Sequence, residues 1–209
     1  MYRAHHHRQE QQVSSLAPAE APSRVVTTFR LGKLVTGAGQ SLCLVRAISD
    51  RTATLDIDVP FEADEAAVLE IGRETIAGTL VKLGGSRAEL RCADPVELDT
   101  ILASGGRRTL PRVEVDAYAR IEVGGLCIAA RIRDISTGGM KLFAEDVLCV
   151  GDRVRVTVKG LDARPGGTVR WCAGDHAGIE FAEPLPLVRL NAWLAGAALR
   201  DDRPIVSKS

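Results

Sequence analysis

Hydrophobic and polar residues alternate strictly along much of the second half of the chain. Val113, Val115, Ala117, Ala119, Ile121 and Val123 are interleaved with Glu114, Asp116, Tyr118, Arg120 and Glu122. A period of two puts one set against a core and the other in water, which predicts a long amphipathic strand. Val154, Val156 and Val158 alternate in the same way with Arg153, Arg155, Thr157 and Lys159. Gly124-Gly125 and Gly166-Gly167 read as turns between strands. Many short strands with glycine-rich turns predict a mainly β chain, folded as a small barrel or sandwich. The alternation stops at Glu97 to Ala103 and again at Leu187 to Leu199, and both stretches suit helices. Leu187, Leu190, Leu194 and Ala198 fall on one helical face and read as a core stripe, while Trp171 reads as a core residue.

The chain also repeats itself. Leu42-Cys43-Leu44 matches Leu126-Cys127-Ile128, and Ile48 and Asp50 match Ile132 and Asp134, at a constant offset of 84. Further on the offset is 89: Gly78-Thr79 matches Gly167-Thr168, Pro95 matches Pro184 and Leu98 matches Leu187. Two copies of a unit of roughly 80 residues, separated by short loop insertions, account for both. Ser104-Gly105-Gly106 is the junction. The expected organisation is a disordered arm over 1–24, a first domain over 25–104, a second over 105–200 and a tail over 201–209.

Charge and composition narrow the function. The 209 residues carry 27 basic and 27 acidic side chains, a formal net charge of zero, which speaks against a general coat for DNA. The halves differ modestly: residues 1–104 carry 11 basic and 14 acidic residues, and 105–209 carry 16 and 13. No apolar run approaches the roughly 18 residues of a membrane span. The polar start, Met1 to Gln12, lacks the apolar stretch of a signal peptide, so the expected address is the cytoplasm. The five cysteines, Cys43, Cys92, Cys127, Cys149 and Cys172, form no Cys-x-x-Cys pair, and His5 to His7 read as a solvated tail; no metal site is expected. No Ser/His/Asp or Cys/His arrangement and no phosphate-binding Gly-x-x-x-x-Gly-Lys loop is present, so no catalytic residues are expected.

Two clusters carry chemistry. Arg107-Arg108-Thr109-Leu110-Pro111-Arg112 lies between the glycine junction and the long alternating strand, and Pro111 disfavours helix at Leu110. Asp134-Ile135-Ser136-Thr137-Gly138-Gly139-Met140 lies between two strands, where Asp and Ser shape a tight turn and the glycines permit positive φ and close approach of a ligand. Arg-x-x-x-Arg ahead of a barrel, followed by Asp-x-Ser-x-x-Gly between its strands, resembles the PilZ domain family of bacterial cyclic di-GMP receptors. The resemblance runs from Arg107 to about Leu199 and takes in Gly167-Thr168-Val169-Arg170-Trp171 and Gly178-Ile179-Glu180-Phe181. It implies two small PilZ-like barrels in tandem, each closed by a C-terminal helix.

What the resemblance implies for the site is specific. Arg108 and Arg112 hold guanine and phosphate; a guanidinium can bind the O6/N7 edge of guanine bidentately or stack on its face. Asp134 and Ser136 face the guanine N1/N2 donors, Gly138 and Gly139 keep the surface open, and Arg107 hints at an intercalated dimer of the nucleotide. At offset 84, Arg108 falls on Arg24, Arg112 on Thr28, Asp134 on Asp50 and Ser136 on Thr52, while Thr54-Leu55 replaces the glycines. The first copy is therefore expected to be a degenerate PilZ-like domain that packs on the second, dimerises or presents a surface. The expected function is a non-enzymatic cyclic di-GMP receptor, without DNA binding or cofactor, that rearranges its domains to regulate a partner. The alternative is a nucleotide-independent protein-interaction module.

Overall fold

A computed structural model of the protein describes residues 24–103, 110–145 and 147–197. The expected arm, apart from Arg24, and the expected tail lie outside the described residues. Strands β1 (Val26–Thr36), β2 (Gly39–Ile48), β3 (Thr52–Asp56), β4 (Glu65–Ile71), β5 (Glu74–Gly84) and β6 (Arg87–Cys92) precede a short helix α1 (Leu98–Ala103). Strands β7 (Val113–Val123), β8 (Leu126–Ser136), β9 (Gly139–Phe143), β10 (Arg153–Val158), β11 (Gly166–Ala173) and β12 (His176–Phe181) precede α2 (Leu187–Ala197). Each set of six closes into an antiparallel barrel, in the order β1-β2-β3-β6-β5-β4 and β10-β11-β12-β9-β8-β7. The fold is thus mainly β, two tandem barrels each followed by a helix. Closure distinguishes the barrel from a sandwich, because it leaves no unpaired sheet edge.

The alternation does what period two demands. Val113, Ala117, Ala119 and Ile121 are buried, and the intervening acidic, basic and tyrosine residues of β7 are exposed. Val154, Val156 and Val158 join them in the second core with Ile132, Met140, Leu142, Val169 and Ile179. One expected turn is not a turn: Gly166 and Gly167 begin β11. Glycine is required at 167 by packing, since a Cβ there would sit 2.5 Å from the Glu180 carbonyl oxygen. Gly78, its counterpart in β5, would place a Cβ 2.2 Å from the Arg91 carbonyl oxygen.

Strand pairing corrects the register of the repeat. Thr36↔Gly39 closes the first hairpin and Val123↔Leu126 the equivalent one, and Ile48↔Ala53 corresponds to Ile135↔Met140. The early strands are therefore offset by 87, not 84, whereas Gly78↔Cys92 and Gly167↔Phe181 keep the later offset at 89. The sequence match at 84 aligned apolar strand residues that do not share a place in the barrel. Backbone bonds outside the ladders repeat at the corrected offsets. Cys92 N–H donates to Arg51 O at 2.8 Å and Val96 N–H to Asp50 O at 2.8 Å. Phe181 N–H donates to Gly138 O at 2.9 Å and Leu185 N–H to Thr137 O at 2.7 Å.

The barrels are joined through α2 and through a bond from the Glu114 N–H of β7 to the Gln40 side-chain oxygen of β2 at 3.3 Å. Leu190, Trp193 and Leu194 pack into the second core, and the Trp193 indole N–H donates to Lys159 O at 3.0 Å. The adjoining face carries Asn191, only 1% exposed. β3 begins pairing with β2 only at Leu44, so the outer edge of β2 is free at Leu42. Asn191 fills it: Leu42 N–H donates to Asn191 Oδ1 at 3.0 Å, and Asn191 Nδ2 donates to Leu42 O at 2.8 Å. The Leu42 side chain, fully buried, belongs to the core of the second barrel. Burying a leucine contributes about 1.5–3 kcal/mol. Of the roles expected for the first copy, packing on the second is the one observed.

This contact makes a prediction. Asn191→Ala leaves a buried N–H and a buried C=O without partners, each costing about 1–3 kcal/mol. The urea midpoint of the full chain, followed by tryptophan fluorescence, should fall clearly; an unchanged midpoint would mean that the barrels do not dock through this pair.

Candidate functional site

The N-terminal end of β7, the β8–β9 turn and the β11–β12 pair surround one cleft of about 670 Å³. Leu110, Arg112, Ser136, Gly138, Arg170, Trp171, Gly178, Ile179 and Glu180 line it. Pro111 and Arg112 lead directly into β7, so the Arg112 side chain leaves from the mouth of the barrel.

Arg112 Nη1 donates to Asp134 Oδ1 at 2.5 Å. The carboxylate is the less exposed partner, 21% against 47% for the arginine. A guanidinium has five donors in a planar fork, and one is spent on Asp134, so the others remain for an acceptor in the cleft. Asp134 is thus tied to the site through Arg112. It lies within β8, as does Ser136, so the true turn is only Thr137-Gly138. Ser136 is 2% exposed, and its hydroxyl donates to Gly139 O at 3.2 Å, which leaves its oxygen as an acceptor.

The two glycines are needed for a different reason from the one expected. Neither Gly138 nor Gly139 is among the residues with positive φ. A Cβ on Gly139 would lie 2.2 Å from the Ile179 carbonyl oxygen, so this glycine lets β9 press against β12 behind the cleft wall. A Cβ on Gly138 would meet Leu110 Cδ1 at 2.6 Å. Arg107 and Arg108 lie outside the described residues. Of the expected set, the structure brings Arg112, Ser136 and Gly138 to the cleft, with Asp134 bonded to Arg112 and Gly139 supporting the wall.

The opposite wall holds residues that the sequence reading did not assign to the site. β11 shifts register between Val169 and Trp171, and from Arg170 onward its residues are exposed. This bulge re-aims consecutive side chains outward. Trp171, expected in the core, is 40% exposed and lies over Gly178, where any Cβ would clash with Nε1 at 2.0 Å. Arg170 Nε pairs with Glu180 Oε2 across the strands. Arg170 and Glu180 stand in the two strand segments that carry the family resemblance, but the bulge that turns Trp171 outward beside Arg170 has no signature in composition.

The first barrel keeps the frame and lacks the side chains. Ser49 takes the place of Ser136, and its hydroxyl donates to Thr52 O at 3.3 Å, the counterpart of the Ser136 bond to Gly139 O. At the offset of 87, Val25 stands for Arg112, Ala47 for Asp134, Arg51 for Gly138 and Thr52 for Gly139. The expected equivalents Asp50 and Thr52 are corrected accordingly. The degenerate character expected for this barrel is retained on the new register. Among the described residues no group of His, Cys, Asp and Glu is placed to hold a metal ion, and no described helix is long and apolar enough to cross a membrane.

No curated protein matches the chain. Solved structures that resemble it include PlzA of Borreliella burgdorferi in complex with c-di-GMP, at 15% identity over 82% of this chain and 87% of that one, with a TM-score of 0.35. The inhibitor of motility MotI/DgrA of Bacillus subtilis aligns at 14% identity over 85% and 100%, with a TM-score of 0.36. YcgR of Escherichia coli in complex with c-di-GMP aligns at 14% over 83% and 85%, with a TM-score of 0.35. Likeness at this level bears on neither ligand nor domain arrangement. The match to a family profile is of another kind: residues 106–195, the whole of the second barrel with most of its closing helix, match the PilZ domain family.

Proposed function

We propose that the second barrel is a receptor for cyclic di-GMP and that the ligand lies in the cleft between Arg112 and Trp171. The observation that carries this reading is the convergence of Arg112, Ser136 and Gly138 with Arg170 and Trp171 around one cleft, in a domain of the PilZ family. Arg112, oriented by Asp134, presents its free N–H groups to a guanine edge or a phosphate oxygen. Asp134 and the Ser136 oxygen accept from the guanine N1/N2 side. Trp171 offers a flat apolar face on which a purine stacks, and Arg170 sits beside it as a cation for the phosphates. Arg107 and Arg108, from the segment that leads into β7, complete the set, and Arg107 favours the intercalated dimer of the nucleotide. No step of bond breaking belongs to this arrangement; the protein is a cytoplasmic receptor, not an enzyme, and it does not take DNA as a ligand.

The signal leaves through backbone bonds. The turn that carries Ser136 and Gly138 is held by Phe181 and Leu185. Six residues beyond Leu185, on α2, stands Asn191, bonded to the first barrel. A ligand that binds one arrangement of turn and helix more tightly shifts the population of interdomain arrangements by that difference, and a partner protein reads the result.

Isothermal titration should give a saturable heat with cyclic di-GMP; no heat at micromolar protein overturns the proposal. Arg112→Ala should weaken binding by about 1–3 kcal/mol, the worth of a bidentate guanine contact. Trp171→Ala should weaken it by about 1–3 kcal/mol, the worth of base stacking, and Trp171→Phe by much less. Small-angle scattering with and without saturating nucleotide should differ; superimposable profiles would remove the interdomain readout while leaving the binding intact.

A further inference from the structure

Where the first barrel meets α2, a cavity of about 270 Å³ lies beside the β1–β2 hairpin. Leu34, Val59, Pro60 and Phe61 of the first barrel and Leu194 and Ala195 of the helix give it apolar walls. It shares no residue with the cleft beside Arg112. No acidic, basic or histidine side chain lines it, so nothing there balances the charge of an ionic ligand. The polar groups are few, and most are engaged. Both polar atoms of the Asn191 amide are bonded to Leu42. The Thr36 hydroxyl oxygen accepts from the Ala38 N–H at 3.2 Å, and the Gln40 side-chain oxygen accepts from the Glu114 N–H at 3.3 Å.

Ser41 is the exception. It pairs with Leu34 across β1 and β2, so the two side chains share a face, and Leu34 belongs to the core of the first barrel. Ser41 is 8% exposed and lines the cavity, yet its hydroxyl has no hydrogen-bond partner among the described residues. Leaving a buried hydroxyl unbonded is unfavourable. The apolar cavity wall thus carries one polar group that a guest could satisfy.

We propose that this cavity is a binding site for a small uncharged molecule with a body of one or two fused rings and a single hydroxyl or amide group that bonds Ser41. An apolar cavity of about 150 Å³ takes a benzene ring, and the volume here admits a somewhat larger body. The lining rejects nucleotides, phosphates and carboxylates, because an ion buried without a partner is costly. The site therefore selects a ligand of different chemistry from the cleft in the second barrel. A molecule that touches Phe61 and Leu194 at once fits only the docked arrangement of the first barrel and α2, and it stabilises that arrangement by mass action. The site does not depend on the nucleotide reading.

The test is an amide NMR titration of the full chain with 2-naphthol, and with naphthalene-2-sulfonate as the anionic control of the same body. 2-Naphthol should shift the amides of Ser41, Phe61 and Ala195 saturably and raise the thermal unfolding midpoint, and the sulfonate should do neither. Ser41→Ala should weaken binding by roughly three- to tenfold, the worth of one hydrogen bond. Ala195 is exposed on the helix, so Ala195→Trp should fold, fill the cavity and abolish binding. No saturable shift up to the solubility limit of 2-naphthol, equal binding of the sulfonate, or unchanged affinity in either variant would overturn the proposal. So would tighter binding by Ile205→Asp, which would give the cavity to the C-terminal segment of the chain, or an affinity that falls as protein concentration rises, which would give it to a second copy.

Discussion

The carbonyl oxygens of Thr137 and Gly138 point away from the β8–β9 ladder and take the N–H groups of Leu185 and Phe181. A buried carbonyl left without a donor costs about 1–3 kcal/mol, so the short β8–β9 turn and the exit from β12 must lie together. That single requirement draws the end of β12 across the barrel mouth and sets Ser136 and Gly138 against Ile179 and Glu180 in one wall. It also fixes the direction in which the chain enters α2. The cleft wall and the course of the helix that reaches the first barrel are two results of one pair of backbone bonds.

The same bonds occur in the first barrel, made by Asp50 and Arg51 with Val96 and Cys92. Because they involve only main-chain atoms, they survive when side chains change. Arginine can become Val25, aspartate Ala47 and glycine Arg51 without loss of the frame, and only ligand chemistry disappears. Two barrels of one chain therefore share a skeleton and differ in the side chains at its mouth. Ser49 persists in the buried place of Ser136 because its hydroxyl serves the turn itself.

Much of this was legible in the sequence because period-two alternation reports burial directly. β7 was readable end to end, and the two helices from the loss of that period. Register was less legible. The stretch around Leu42 offers similar apolar triplets at more than one alignment, and only hydrogen-bonded pairs distinguish an offset of 87 from 84. Arg112, Asp134 and Ser136 were visible as motif residues. Trp171 is expected in the core and is not, because its outward aim follows from a bulge, a one-residue irregularity in pairing that alternation cannot record. The glycines were noticed for conformational freedom, whereas at 139 and 167 the need is for absence of a Cβ against a neighbouring strand.

The amide of Asn191 copies the donor and acceptor of a peptide unit, and it does so at a single residue of β2. A side chain that mimics a peptide unit can thus continue a sheet edge for one residue without adding a strand. A second polar link lies two residues away, where Glu114 N–H of β7 donates to the Gln40 side-chain oxygen at 3.3 Å, so the start of the second barrel and its closing helix both grip the same short stretch of β2.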